Sequence, residues 1–151
     1  MTRIQAVDER VVPFSPHDVW RVLAAADAYP QWYPRTLMLR LLRYQPGLIG
    51  SEIELRPLGG RGFKCRFVSA DAPVRLRVEY FGGFIEGWGE WRLDPHGSGT
   101  RVVYEIDVRA QGQLAAWAGA LLPLDRIHSR QMSGVLRRLE KRLAATAQAS
   151  S

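Results

Sequence analysis

Turn signals recur at short intervals between residues 36 and 110, and this spacing constrains the fold more than any other feature of the chain. They are PG at 46–47, GG at 59–60, AP at 72–73, GG at 82–83 and DPHGSG at 94–99. The segments that they separate predict strands at 36–44, 50–57, 62–70, 74–81, 84–94 and 100–110. Connections this short join antiparallel strands, because a parallel pair needs a crossover of about a dozen residues or more. The spacing therefore predicts an antiparallel meander.

A strand and two short helices precede the meander, and a long helix follows it. Residues 3–14 predict the first strand. Ser15 is a favoured N-cap and Pro16 suits a first helical turn, so a short helix follows. The segment AYPQWYP at 28–34 predicts a second short helix, because its two prolines prevent a long one. Residues 113–147 predict a long helix that Pro123 kinks or divides. We expect one domain over 1–145 and a disordered tail over 146–151.

Apolar residues alternate along the last strands and recur at helical spacing after them. The predicted inward positions of the strands are Leu76, Val78, Tyr80, Gly87, Gly89, Trp91, Leu93, Val102, Tyr104, Ile106 and Val108. The predicted stripe of the long helix is Trp117, Leu121, Leu124, His128, Met132, Val135, Leu139 and Leu143. A curved sheet wrapped around this helix buries both sets, which predicts an α+β helix-grip fold with a seven-stranded antiparallel sheet. The two inward glycines indicate a cavity, a close helix–strand crossing or a bulge.

Composition and charge narrow the class of protein. The net charge of +6 comes almost entirely from arginines scattered along the chain, which indicates either solubilising cations or an anionic partner. Cys65 is the single cysteine, so no internal disulfide is expected. The sequence has no signal-peptide pattern and no apolar run near about twenty residues, so we expect a cytoplasmic protein. The three histidines fall on separate elements, and we expect neither a metal nor a cofactor.

The other candidate motifs do not indicate a phosphate-binding, nucleic-acid-binding or acid/base site. GWGEW at 87–91 lies within a predicted strand and precedes no helix, unlike a phosphate-binding loop. RGFKCRFV at 61–68 has Cys65 where an RNA-binding strand needs a stacking aromatic ring, so no nucleic-acid binding is expected. Glu86 and Glu90 share a strand face with arginines, which predicts a solvated charge ladder. No carboxylate is expected at an inward strand position.

The element order, the opening VPFSPHDVWRVLAAADAYPQWYP and the stretch GEWRLDPHGSGTRVVYEIDV before a C-terminal helix resemble the START/Bet v 1-like (SRPBCC) superfamily. Within it, the likeness is greatest to the polyketide cyclase/dehydrase and Coq10-like group, and it covers residues 3 to 143. The resemblance implies the helix-grip fold and a cavity for a hydrophobic ligand, since superfamily members bind lipids, quinones, polyketides or plant hormones. Some members are enzymes, so the resemblance alone does not decide the function.

The predicted cavity is apolar with a few polar points. The candidate ligand-binding residues are Trp32, Cys65, Phe67, Tyr80, Gly87, Gly89, Trp91, Tyr104, Trp117, Leu121, Leu124, His128 and Met132. We expect Trp32 and Tyr29 to close one wall of the cavity, with Tyr33 facing outward. His128 is the inward side chain that titrates near neutral pH, and three roles stay open for it: a core residue, a hydrogen-bond donor to ligand, or a general acid/base in an enzyme.

Three functions compete. The first is a non-catalytic carrier of a small hydrophobic ligand: a lipid, a quinone or an aromatic polyketide. The second is a polyketide cyclase/dehydrase with His128 as its proton-transfer group, and the third is a module that contacts a protein or the ribosome. An apolar rim at Leu58, Phe81, Phe84 and Trp117 beside scattered arginines suits peripheral contact with the inner face of a membrane, or with a partner protein. The oligomeric state stays open.

Overall fold

The computed structural model describes residues 2–110 and 123–149. In chain order, the strands are β1 (Thr2–Val12), β2 (Arg40–Arg43), β3 (Glu52–Leu55), β4 (Phe63–Asp71), β5 (Arg75–Phe81), β6 (Ile85–His96) and β7 (Gly99–Ala110). The helices are α1 (Pro16–Ala24), α2 (Tyr29–Trp32) and α3 (Leu124–Ala149). Short 3-10 turns occupy Ala26–Ala28, Arg35–Leu37 and Pro57–Gly59. Among these described residues, no helix is both long and apolar enough to cross a membrane.

All strands join one antiparallel sheet, and its order confirms the predicted meander. The order is β1-β7-β6-β5-β4-β3-β2, so each strand from β2 to β7 lies beside its neighbour in sequence. β1 pairs with β7 along its whole length, from Thr2 opposite Ala110 to Val12 opposite Thr100. The helix α3 packs across the concave face of this curved sheet, where its contacts fall mainly on β1. The α+β helix-grip fold with seven strands is thus confirmed.

The two predicted apolar faces meet in the core. The predicted inward residues of β5 and β7 are buried, and Met132, Val135, Leu139 and Leu143 of α3 lie against them. Leu136 is also buried, although the predicted stripe does not include it. The outer face carries the predicted charge ladder, in which Glu90 lies 3.4 Å from Arg75 and 3.6 Å from Arg77.

Two predicted boundaries differ from the element bounds of the structure. The strand expected from residue 36 starts at Arg40, because Arg35–Leu37 form a 3-10 turn and Met38 follows with a left-handed φ of 46°. The tail expected at 146–151 is helical as far as Ala149, since α3 continues past its last buried residue, Leu143. The segment 113–122 of the predicted long helix lies outside the described residues, and Trp117 and Leu121 lie within it.

Candidate functional site: an apolar cavity between the sheet and the C-terminal helix

A cavity of about 270 Å³ separates the concave face of the sheet from α3. Its walls come from β1, from β3 to β7, from α2 and from the first half of α3, and most of the lining side chains are aliphatic or aromatic. Of the predicted ligand-binding residues, those that line it are Cys65, Phe67, Tyr80, Trp91, Tyr104, Leu124, His128 and Met132. The strand alternation and the helical stripe bring these side chains together from opposite sides of the fold.

The two inward glycines do not leave space for a ligand. A Cβ atom at Gly89 would overlap the hydroxyl of Tyr104 and approach the ring of Tyr80 at 3.0 Å. A Cβ atom at Gly87 would overlap the backbone of β7. Gly87 also has a backbone φ of 143°, which residues with a side chain rarely adopt. Gly89 therefore makes room for a tyrosine ring, and Gly87 permits a close strand approach. The prediction that they border the cavity is wrong.

The aromatic segment at 28–34 closes one wall with Tyr29, as predicted, and with Tyr33 in place of Trp32. Tyr29 and Tyr33 line the cavity, and their rings stack with centroids 5.0 Å apart. Trp32 is buried behind them in an edge contact with Tyr29, and its carbonyl accepts a 2.9 Å hydrogen bond from Arg138 of α3. Because α2 starts at Tyr29, Trp32 and Tyr33 point to different sides of its last turn. Trp32 thus supports the wall from behind, whereas Tyr33 faces inward.

A pair of tyrosine hydroxyls forms a polar point on the sheet wall of the cavity. The hydroxyls of Tyr80 on β5 and Tyr104 on β7 are hydrogen-bonded to each other across β6, above Gly89. Burial raises the pKa of both hydroxyls well above the usual value of 10.0, so both stay neutral. One of the two hydroxyls donates its hydrogen to the oxygen of its partner. The partner can then donate its own hydrogen to a ligand.

His128 lies beside this pair on the facing wall. Its imidazole packs against the ring of Tyr104 with centroids 6.3 Å apart, and its side chain is 21% exposed. Burial lowers its pKa from 6.5 to about 4, although the carboxylate of Asp8 acts in the opposite direction. The neutral imidazole offers one donor and one acceptor. The site can therefore orient a carbonyl or a hydroxyl without placing a charge in the cavity.

The sequence reasoning missed Asp8, and the expectation of no inward carboxylate is wrong. Asp8 shares the inward face of β1 with Ile4 and Val12, and its Oδ2 lies 3.8 Å from Nδ1 of His128. The same oxygen accepts a 3.2 Å hydrogen bond from the hydroxyl of Ser129. The alternation of β1 contained the signal, because a period of two from Ile4 places Asp8 inward.

Cys65 is a packing residue of the cavity wall. It is 3% exposed, and burial raises the pKa of its thiol far above the usual value of 9.0. A thiol that stays protonated is a poor nucleophile. Its contribution to the wall is therefore a small apolar surface beside Phe67 and Tyr80.

The residues of the predicted apolar rim lie in different environments. Leu58 is 84% exposed on its 3-10 turn. Phe81 points to the outer face, where the guanidinium of Arg66 covers its ring at 4.4 Å. Phe84 lines the cavity and contacts Phe63 edge-on. Trp117 lies outside the described residues, so Leu58 is the exposed apolar side chain among the three that are described.

Comparisons with known proteins agree with this architecture. The family model described as "Polyketide cyclase / dehydrase and lipid transport" matches residues 3–148. The protein TTHA0849 from Thermus thermophilus is 19% identical with a TM-score of 0.78, and the match covers 94% of this chain and 98% of that one. A START superfamily protein from Mycobacterium smegmatis is 16% identical with a TM-score of 0.73, covering 94% and 98%.

One further solved structure comes from a biosynthetic pathway. The di-domain ARO/CYC StfQ from the steffimycin biosynthetic pathway is 16% identical with a TM-score of 0.74, and the match covers 97% of this chain and 52% of StfQ. A comparison with curated proteins found no match. At these identities the structural matches show the shared fold, while the nature of the ligand depends on the cavity itself.

Proposed function

This chain belongs to the polyketide cyclase/dehydrase and lipid transport family, and from that membership we propose that it binds and carries a small hydrophobic ligand in the cavity. The observation that supports the proposal best is the largely apolar cavity between the sheet and α3, with the Tyr80–Tyr104 pair and His128 as a polar region of its walls. Burial of apolar ligand surface supplies the affinity, and the neutral polar groups set the orientation.

The volume of the cavity limits the size of the buried part of the ligand. An apolar cavity of about 150 Å³ is enough to bind benzene. The cavity of 270 Å³ is less than twice that size, and it suits a fused two-ring system or a quinone head group. The tail of a long lipid or isoprenoid would have to extend outside. We therefore propose an aromatic or quinone-like body as the buried part.

The polar region selects a ligand with an oxygen atom at one end. The free O–H of the Tyr80–Tyr104 pair can donate to a carbonyl, and the imidazole of His128 can donate or accept. A hydrocarbon without such an atom would leave these buried groups without a partner from the ligand. A naphthol should therefore bind about tenfold more tightly than naphthalene. This ratio of Kd values corresponds to one additional net hydrogen bond, which contributes about 1 kcal/mol or slightly more.

Isothermal titration with 2-naphthol tests the proposal. Val78 of β5 is buried and lines the cavity, so Val78→Phe should fill it and abolish binding. Val7→Phe makes the same change at a 60% exposed position of β1 and serves as the matched control. We expect wild type and V7F to bind with a Kd of about 100 µM or tighter, and V78F not to bind. Equal binding by V78F and wild type would place the ligand elsewhere and refute the proposal.

A second candidate function, polyketide cyclisation or dehydration, is favoured by the contact between Asp8 and His128. A carboxylate 3.8 Å from Nδ1 favours the tautomer with its proton on that atom, which leaves Nε2 unprotonated as a general base. The assay is the loss of water from a linear poly-β-ketone thioester, followed by mass spectrometry. His128→Gln should abolish this reaction and Asp8→Asn should slow it, whereas unaltered substrate with wild-type protein would exclude the candidate.

A further inference from the structure

A wide groove runs along the other side of α3 and carries a stripe of cations. Arg126, Arg130, Arg137 and Lys141 line it, and all four side chains are exposed. Their spacing of about one or two turns puts them on one face of the helix. Along the helix axis, the rise of about 1.5 Å per residue separates the pair Arg126 and Arg130 from the pair Arg137 and Lys141 by roughly 16 Å.

The charge of this stripe is not compensated within the part of the chain that the structure describes. The carboxylate that lines the groove, Glu140, is already paired with Arg10 at 3.1 Å. None of the four stripe residues has an ion pair among the described residues. The neighbouring segment 111–122 contains no Asp or Glu, so it offers no side-chain carboxylate to them. Uncompensated guanidinium groups in a groove attract an anion, for which arginine has a bidentate geometry.

The groove and the cavity lie next to each other. Leu37, Ile127 and Gln131 line both of them, so these side chains form the boundary between the two spaces. Arg126 and Arg130 each directly precede one of the two helical boundary residues in sequence. An anion held by this pair would thus lie next to the boundary, whereas one held by Arg137 and Lys141 would lie farther along the helix.

We propose that the ligand of the cavity is an anionic amphiphile, whose apolar body lies in the cavity and whose carboxylate or phosphate binds Arg126 and Arg130 in the groove. This inference rests on the proposed function, because it names the chemical class of the ligand for the same cavity. A ligand larger than 270 Å³ would also be accommodated in this way, since its charged end would stay in the open groove. Exposed arginines suit this role because their charge is not desolvated before the ligand arrives.

The test compares three ligands that share one ring system: 2-naphthol, 6-hydroxy-2-naphthoate and the neutral 6-hydroxy-2-naphthamide. Titration calorimetry measures each Kd with wild type, with the double variant Arg126→Gln/Arg130→Gln and with the control Arg137→Gln/Lys141→Gln. Both double variants remove two positive charges from the same exposed helix face, and they differ in their distance from the cavity. A circular-dichroism melt checks that each variant is folded.

We expect wild type and the control to bind the naphthoate about five- to tenfold more tightly than the naphthamide. The ratio is modest because solvent-exposed ion pairs contribute little binding free energy. R126Q/R130Q should lose this preference while keeping its affinity for 2-naphthol. Equal affinity of wild type for naphthoate and naphthamide would overturn the inference and leave the carrier function intact. An equal loss in the control would also overturn it, since the stripe would then act as a diffuse cationic surface. No binding of any of the three ligands would overturn the proposed function and the inference together.

Discussion

The protonation of His128 should make the stability of the fold depend on pH between about 6.5 and 4. Burial lowers the pKa of its imidazole to about 4 in the folded chain, whereas the unfolded chain keeps a value near 6.5. Below pH 6.5 the unfolded chain takes up this proton first, so acid favours unfolding. The contribution of His128 to stability is complete above pH 6.5 and is lost as the pH falls through 4.

The size of the effect follows from the two pKa values. At about 1.4 kcal/mol per pKa unit, a shift from 6.5 to about 4 lowers the free energy of unfolding by roughly 3 kcal/mol. This full loss is reached at a pH low enough to protonate His128 in both the folded and the unfolded chain. At pH 5 the unfolded chain is protonated and the folded chain is mostly not, which gives a loss of about 2 kcal/mol relative to pH 7.5. Such a loss lowers the Tm by about 4–8 °C in a domain of this size.

Urea denaturation of wild type and His128→Gln at both pH values isolates this residue from the carboxylates, which titrate in both proteins. Wild type should lose about 2 kcal/mol more than H128Q between pH 7.5 and pH 5. An NMR titration of the imidazole measures the folded pKa directly. A value above 6.5 would refute the reasoning, because the Asp8 carboxylate at 3.8 Å would then outweigh burial and His128 would be charged near neutral pH.

Two further predictions concern the tyrosine pair and the glycine beneath it. Tyr80→Phe or Tyr104→Phe leaves one buried hydroxyl without its partner and should cost about 1–3 kcal/mol in urea denaturation. The double variant should cost about as much as one single variant, and additive losses would contradict the pairing. Gly89→Ala should destabilise the fold by about 1–3 kcal/mol, because the new methyl group overlaps the Tyr104 hydroxyl. At Gly134 on α3 a new methyl group would meet only Pro34, at 3.8 Å, so Gly134→Ala should instead stabilise the fold by about 0.5–1 kcal/mol. A loss at both glycines would show that crowding is not the cause.

The sheet and its order were predictable because local signals determine them. Turn residues at short intervals require antiparallel neighbours, and a period of two identifies the inward face of each strand. The same rule applied to β1 places Asp8 inward beside Ile4, so this site residue was within reach of the sequence. Asp8 is missed when the alternation is followed along the last strands but not along β1.

Other features of the cavity depend on three-dimensional packing. An inward glycine looks like missing volume in a sequence, but a side chain from the neighbouring strand can occupy the space, as Tyr104 does above Gly89. In the aromatic segment, one short turn of helix decides whether Trp32 or Tyr33 faces inward. The closeness of the cavity to the cationic groove likewise depends on contact between distant segments, because Leu37 lies far before α3 in the sequence.

The most direct test of the central claim is a methyl-NMR titration of the protein with 2-naphthol. Ile106, Val108 and Val135 line the cavity, while Val7 and Val11 are exposed on β1. If the ligand binds between the sheet and α3, intermolecular NOEs will connect its ring protons to the methyl groups of the first set alone. NOEs to Val7 and Val11, or shift changes that leave the cavity methyl groups unaffected, would contradict a ligand-binding cavity in this protein.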